Sequence, residues 1–221
     1  MLDKIQIALL FSYLGICVFH LICCFFQLEK LRKITKPFCL TPLIGFTIYS
    51  FTTHPAIYIG LGFALLGDIF LIFVDNKKCF VFGTLSFLAS HICFFIECTR
   101  LLSYRLPPWF YVLIISIIVV LTIGLFPISK NIAGRIAICG NSYGLFLILM
   151  IIMGILLTVD NPHIYPGLLV IFGYVLFIIS DSILTVSTFI VDFKRKDFYI
   201  MATYLSAVFL IITGLSMVVL L

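Results

Sequence analysis

The chain has 221 residues, 63% of them hydrophobic and only 10% charged, and a mean hydropathy of +1.29. Soluble domains carry about 25% charged residues, so a water-soluble globule is excluded. The net charge of +5 comes from short clusters between apolar runs, without the basic stripe that would bind nucleic acid, and no nucleic-acid partner is expected.

The apolar runs are long enough to cross a hydrocarbon core of about 30 Å as helices, and breakers and charges divide them into eight predicted spans. The first, 5–28, is too long for a signal-peptide core and is followed by no small-residue cleavage site, so it is expected to stay as a helix. The second, 37–53, opens after Lys36-Pro37, and Pro42 predicts a kink in its first turns. The third, 56–75, contains "GFALLGDIFLIF" (62–73), where Gly67-Asp68 interrupts an apolar run. The fourth, 79–101, carries His91 and Glu97; the fifth, 108–126, has no ionisable acid, base or histidine. The sixth, 132–158, holds Asn141 and Tyr143, the seventh, 164–190, holds Asp181, and the eighth, 198–221, holds Tyr204. The expected fold is therefore all-α: a polytopic membrane protein, one domain over 1–221, with eight transmembrane helices. The membrane lipid bilayer is its surrounding partner; oligomeric state is left open.

Basic residues set the orientation. Lys30, Arg32, Lys33 and Lys36 follow span 1, Lys77 and Lys78 follow span 3, Lys130 and Arg135 follow span 5, and Lys194, Arg195 and Lys196 follow span 7. The opposite side has only Lys4, Arg100 and Arg105. The odd-numbered loops are expected on the cytoplasmic side and both termini on the other. A bacterial inner membrane and an endoplasmic reticulum membrane fit equally. The eight cysteines lie mostly within apolar runs and form no C-x-x-C pair, so they read as small buried hydrophobes.

Ionisable groups within the spans are few. Glu97 sits near a helix end with Arg100 three residues on, which predicts an interfacial ion pair. His20 is isolated and reads as a hydrogen-bonded structural histidine. Asp68, His91 and Asp181 lie deeper, at about 10, 18 and 15 Å from the cytoplasmic ends of their helices at ~1.5 Å per residue. Asn141, Tyr143 and Tyr204 reach the same layer, with Thr41 near it. Gly60, Ala64 and Asp68 recur at helical spacing as a small-residue face; Tyr174, Phe177 and Asp181 share a face of span 7, an aromatic wall beside a carboxylate. A lone aspartate in a span can be a helix-packing device. Two of them with a histidine and an asparagine at one level favour a functional site.

Together, "TKPFCLTPLIGF" (35–46), "GFALLGDIFLIF" (62–73), "FVFGTLSFLASHICFF" (80–95) and "GYVLFIISDSIL" (173–184) resemble the YhhN-like family, which includes lysoplasmalogenases. The shared marks are Lys36-Pro37, Gly67-Asp68, Ser90-His91 and Ser180-Asp181, with Asn141 and Tyr143 in the sixth span. The chain departs from the family in its last span, where Tyr204 is kept without the glutamine that often follows. The resemblance implies hydrolysis of the vinyl-ether bond of a lysophospholipid substrate, releasing a fatty aldehyde and a glycerophospho-headgroup. That reaction needs a proton donor, an anion near a developing oxocarbenium ion, and a base for water, which paired carboxylates supply. Asp68 and Asp181 are the expected catalytic pair, one protonated and one ionised at rest, in roles the sequence leaves unassigned. His91, counted with the catalytic residues, Asn141 and Tyr204 would orient water or tune the proton, and Asn141, Tyr143, Tyr204 and Ser180 would contact the substrate. Lys36 would hold the lipid phosphate or serve only the positive-inside pattern. His54 and His163 fall on the opposite side, leaving His20 and His91 as a poor zinc set; no metal or other cofactor is expected. The rival readings are a small multi-pass transporter and a non-catalytic lipid-binding protein.

Overall fold

A computed structural model describes residues 3–74, 76–107 and 132–220, with side chains for all of these except 77, 132–142 and 189. Every regular element in them is helical. The elements are α1 (Lys4–Phe25), α2 (Glu29–Thr35), α3 (Thr41–Ser50), α4 (Pro55–Phe70), α5 (Lys77–Leu101), α6 (Ile132–Asp160), α7 (Tyr165–Phe189) and α8 (Lys196–Leu220). Six of these helices, α1 and α4–α8, are long and apolar enough to cross a membrane. The fifth predicted span, 108–126, lies outside the described residues.

Local chemistry explains the boundaries. Asp3 caps α1: its carboxylate accepts from the Gln6 N–H at 2.8 Å, and the Gln6 side chain accepts from the Asp3 N–H at 2.9 Å. This is a capping box, which satisfies two donors that the first turn leaves free. At the other end, Gln27 adopts φ 55°, and the N–H groups of Gln27 and Leu28 return to the carbonyls of Cys24 and Cys23 at 3.2 and 2.9 Å. That is a Schellman stop built without its usual glycine.

The second predicted span differs from expectation. Pro42 does not kink a long helix. A 3₁₀ turn covers Lys36–Phe38, the chain bends at Cys39 and Leu40, and Pro42 falls in the first turn of α3. A proline there has no N–H to lose from the helical ladder, so it starts a helix more readily than it bends one. The ten residues of α3 rise about 15 Å. The end of α3 still meets the start of α1: the Gln6 amide donates to the Ser50 hydroxyl at 2.9 Å and the Tyr49 hydroxyl donates to Asp3 at 2.8 Å. The connection before α3 contains α2, a short charged helix that the sequence had suggested was loop.

The helices pack through continuous buried stripes. On α4 these are Ile57, Gly60, Leu61, Ala64, Gly67 and Asp68, the spacing of one helical face. The small-residue face expected there is in place. α5, packed against α4, buries Phe87, Ser90, His91, Phe94, Glu97 and Cys98, with Phe87 and Phe94 against Gly67 and Gly60. α7 and α8 form the most extensive contact, followed by α4 with α5 and α6 with α7. α8 is the central element: half of its most apolar stretch is buried, against 28% for α1 and α7. The described cysteines 17, 23, 24, 39, 79, 93 and 98 are all free thiols, and most are buried, as small hydrophobes would be.

Candidate active site

The site begins at the basic end of the bundle. Asp68 stands near the end of α4 and is 1% exposed. Counting through the 3₁₀ turn Leu71–Phe73, it lies about 9 Å from the end of its helical run. Its Oδ2 accepts from the Tyr204 hydroxyl of α8 at 2.9 Å, and its Oδ1 faces the Lys36 ammonium at 3.8 Å. Lys36 reaches inward because it opens the 3₁₀ turn between α2 and α3. The same segment is anchored on two sides. The Thr35 hydroxyl lies 2.6 Å from His20 Nδ1, and Arg32 pairs with Asp197 at the start of α8. His20 is fully buried and hydrogen-bonded, as a structural histidine should be.

Deeper in the bundle, His91 of α5 is 1% exposed. Its Nε2 lies 3.2 Å from the Tyr143 hydroxyl of α6, and its Nδ1 lies 3.4 Å from the Tyr174 hydroxyl of α7. The Tyr143 hydroxyl also approaches the Asp181 carboxyl of α7. Asp181 is only partly buried. Among the described residues no hydrogen bond or ion pair joins the two aspartates directly.

Aromatic rings bridge the two clusters. Phe177 packs edge-on against His91, with ring centres 4.6 Å apart, and against Tyr204 at 5.6 Å. Phe87, one turn below His91 on α5, contacts Phe177 at 6.0 Å and Tyr204 at 5.7 Å. Lys36, Asp68 and Tyr204 thus connect through Phe87 and Phe177 to His91, Tyr143 and Asp181. Gly67 makes this possible: a Cβ added there would stand 2.7 Å from the Phe87 ring, so any other residue would push the ring out of the layer.

The remaining sequence candidates fall elsewhere or beyond the described atoms. The Ser180 hydroxyl donates to the Ile200 carbonyl at 3.0 Å and fastens α7 to α8. Thr41 is exposed and donates to the Phe38 carbonyl at 2.9 Å. The side chain of Asn141 lies outside the described residues. Glu97 is more than an interfacial ion pair with Arg100: it is fully buried, its Oε1 lies 2.5 Å from His54 Nδ1, and Arg100 stands 3.8 Å from Oε2. Sequence reasoning did not single out Phe87 or foresee that Tyr174 meets His91. The spacing of Phe87 four residues before His91, and of Tyr174 seven before Asp181, was the available signal.

The chain matches the YhhN family over residues 31–215. It belongs to that family. The matched range runs from α2 into the last turns of α8 and contains every residue of the layer just described. Neither a curated protein nor a solved structure matches this YhhN protein.

Proposed function

We propose that this YhhN protein is a hydrolase acting within the bilayer on the vinyl-ether bond of lysoplasmalogens. The family itself is compatible with that activity. One observation carries the reading: two intramembrane aspartates, Asp68 hydrogen-bonded by Tyr204 and Asp181 with the Tyr143 hydroxyl beside it, border one layer of aromatic rings and a histidine. Carboxyl groups in spans mark function by default, because a charge in hydrocarbon is costly unless it is used.

The chemistry follows from the donor set. A carboxylic acid transfers its proton to the β-carbon of the vinyl ether, leaving an oxocarbenium ion at the adjacent carbon. A carboxylate stabilises that cation and takes a proton from the water that adds to it, as in glycosidases. The resulting hemiacetal collapses, its C–O bond to glycerol breaks, and a fatty aldehyde and a glycerophospho-alcohol leave. The electron-rich faces of Phe87 and Phe177 suit a transient cation. Lys36 lies at the basic end, which we take as cytoplasmic, where the phosphate of a lysophospholipid would reside.

The test is aldehyde release by the purified protein from an alkenyl lysophospholipid, with an ester-linked lysophospholipid as control. Activity on the vinyl ether alone, lost in Asp68→Asn and in Asp181→Asn, is the expected result. No aldehyde in any lipid environment removes the enzyme reading. Full activity in both variants removes the two-carboxylate chemistry.

A further inference from the structure

The two aspartates look alike in sequence, yet their partners differ in kind. Asp68 faces an ammonium at 3.8 Å and accepts from a phenol at 2.9 Å. An ammonium has three donors and no acceptor, so it rewards only the ionised form of the carboxyl. Protonating Asp68 would leave Lys36 as an uncompensated charge whose side chain is only 15% exposed, an expensive state.

Asp181 has no described ion pair. Its neighbour is the Tyr143 hydroxyl, which can donate or accept, and behind it stands a chain of groups with the same property. Tyr143 contacts His91 Nε2 at 3.2 Å, and His91 Nδ1 contacts Tyr174 at 3.4 Å. A neutral imidazole has one donor and one acceptor nitrogen, so the chain runs in either direction. With Asp181 ionised, Tyr143 donates to it, His91 donates from Nε2 to Tyr143, and Tyr174 donates to Nδ1. With Asp181 protonated, Asp181 donates to Tyr143, Tyr143 donates to Nε2, and His91 donates from Nδ1 to Tyr174. No hydrogen bond is lost in either state, because a single change of imidazole tautomer accommodates both.

We infer that at rest Asp181 holds the transferable proton and Asp68 is the ionised member, with His91 and Tyr174 as positioning residues that let Asp181 release and regain its proton. Applied to the hydrolase reading, on which its catalytic meaning rests, the sequence of steps closes. The Asp181 O–H bond breaks as the β-carbon C–H bond forms. Asp68 then takes a proton from the water that adds. As the hemiacetal C–O bond breaks, Asp68 returns that proton to the glycerol oxygen, and the hemiacetal hydroxyl proton goes to Asp181. One water is consumed and both carboxyls regain their starting forms.

The assignment is tested without substrate, by infrared difference spectroscopy of the full-length protein in lipid nanodiscs at neutral pH. The C=O band of a protonated carboxylic acid is expected in the wild type, absent from Asp181→Asn and kept in Asp68→Asn. Loss of that band in Asp68→Asn, in both variants or in neither overturns the assignment. Should an asparagine variant fail to fold, Tyr143→Phe keeps both aspartates and is expected to shift the band, whereas Lys36→Gln leaves it in place. The converse pattern overturns the assignment. Tyr174→Phe, which does not touch Asp181, is expected to shift the band through the His91 tautomer. An unmoved band removes the positioning role of Tyr174. If the band follows Asp181 but no aldehyde forms from any alkenyl lipid, the charge assignment stands and the hydrolase reading fails.

Discussion

Lys36 offers the sharpest energetic test, because its partner is almost fully enclosed. The Lys36 ammonium and Asp68 Oδ1 are 3.8 Å apart, with side-chain exposures of 15% and 2%. At an effective dielectric constant of about 20, opposite charges at that separation attract by about 4 kcal/mol. Desolvation of both ions and ordering of the long lysine side chain offset part of this, leaving an expected coupling of about 2 kcal/mol. Lys36→Met should therefore be costly by itself, since it strands a buried carboxylate whose remaining partner is the Tyr204 hydroxyl. Lys36→Met combined with Asp68→Asn should recover much of that loss, because no charge is then left unpaired. The assay is reversible denaturant unfolding in mixed micelles for the wild type, both single variants and the double variant, analysed as a cycle. A coupling below about 0.5 kcal/mol, the size found for independent sites, would refute the reasoning. Lys36 would then be a topology signal whose nearness to Asp68 has no energetic consequence.

Three further outcomes are expected. A Cβ at Gly67 would meet the Phe87 ring at 2.7 Å, whereas one at Gly62 would meet nothing within 4 Å. Gly67→Ala should thus destabilise by about 1–3 kcal/mol and depress aldehyde release, while Gly62→Ala should stabilise by up to about 1 kcal/mol; equal effects in unfolding and activity assays would contradict the packing argument. Gln27→Gly should stabilise by about 1 kcal/mol, because a side chain at φ 55° is strained where glycine is not, and the unfolding midpoint reports it. Finally, the Gln6 backbone N–H, and after it the Tyr49 hydroxyl, hold the Asp3 carboxyl below its ordinary value. A lowered folded value means the contribution is complete above the ordinary carboxylate value and fades as pH falls through the folded one. The protection of the Gln6 amide against exchange, relative to its intrinsic rate, should fall on acidification through that window, and Asp3→Asn should flatten the response.

Which features the sequence disclosed follows from contrast. Asp68 and Asp181 stood out because a carboxylate in an apolar run has few innocent explanations, and the helix boundaries followed from charges and prolines. The broken entry into the bundle was hidden because Pro37 and Pro42 each read as an ordinary helix start or kink. Only their spacing, with Cys39 and Leu40 between two short helical pieces, makes Lys36 turn inward. Phe87 was hidden for the opposite reason. With 24 phenylalanines in the chain, one more aromatic at helical spacing carries no information until its ring is found against Tyr204 and Phe177. Pairing is the harder quantity, since each residue turns a helix by about 100° and a small rotation exchanges one neighbour for another. His54 and Glu97 meet across 43 positions, and His91 and Tyr174 across 83, by rotations that no local pattern encodes. The difference between the two aspartates is of this kind. Sequence presents two equivalent carboxyls. Only their neighbours, a donor-only lysine for Asp68 and a reversible phenol–imidazole–phenol chain for Asp181, make one suited to keeping a charge and the other to exchanging a proton.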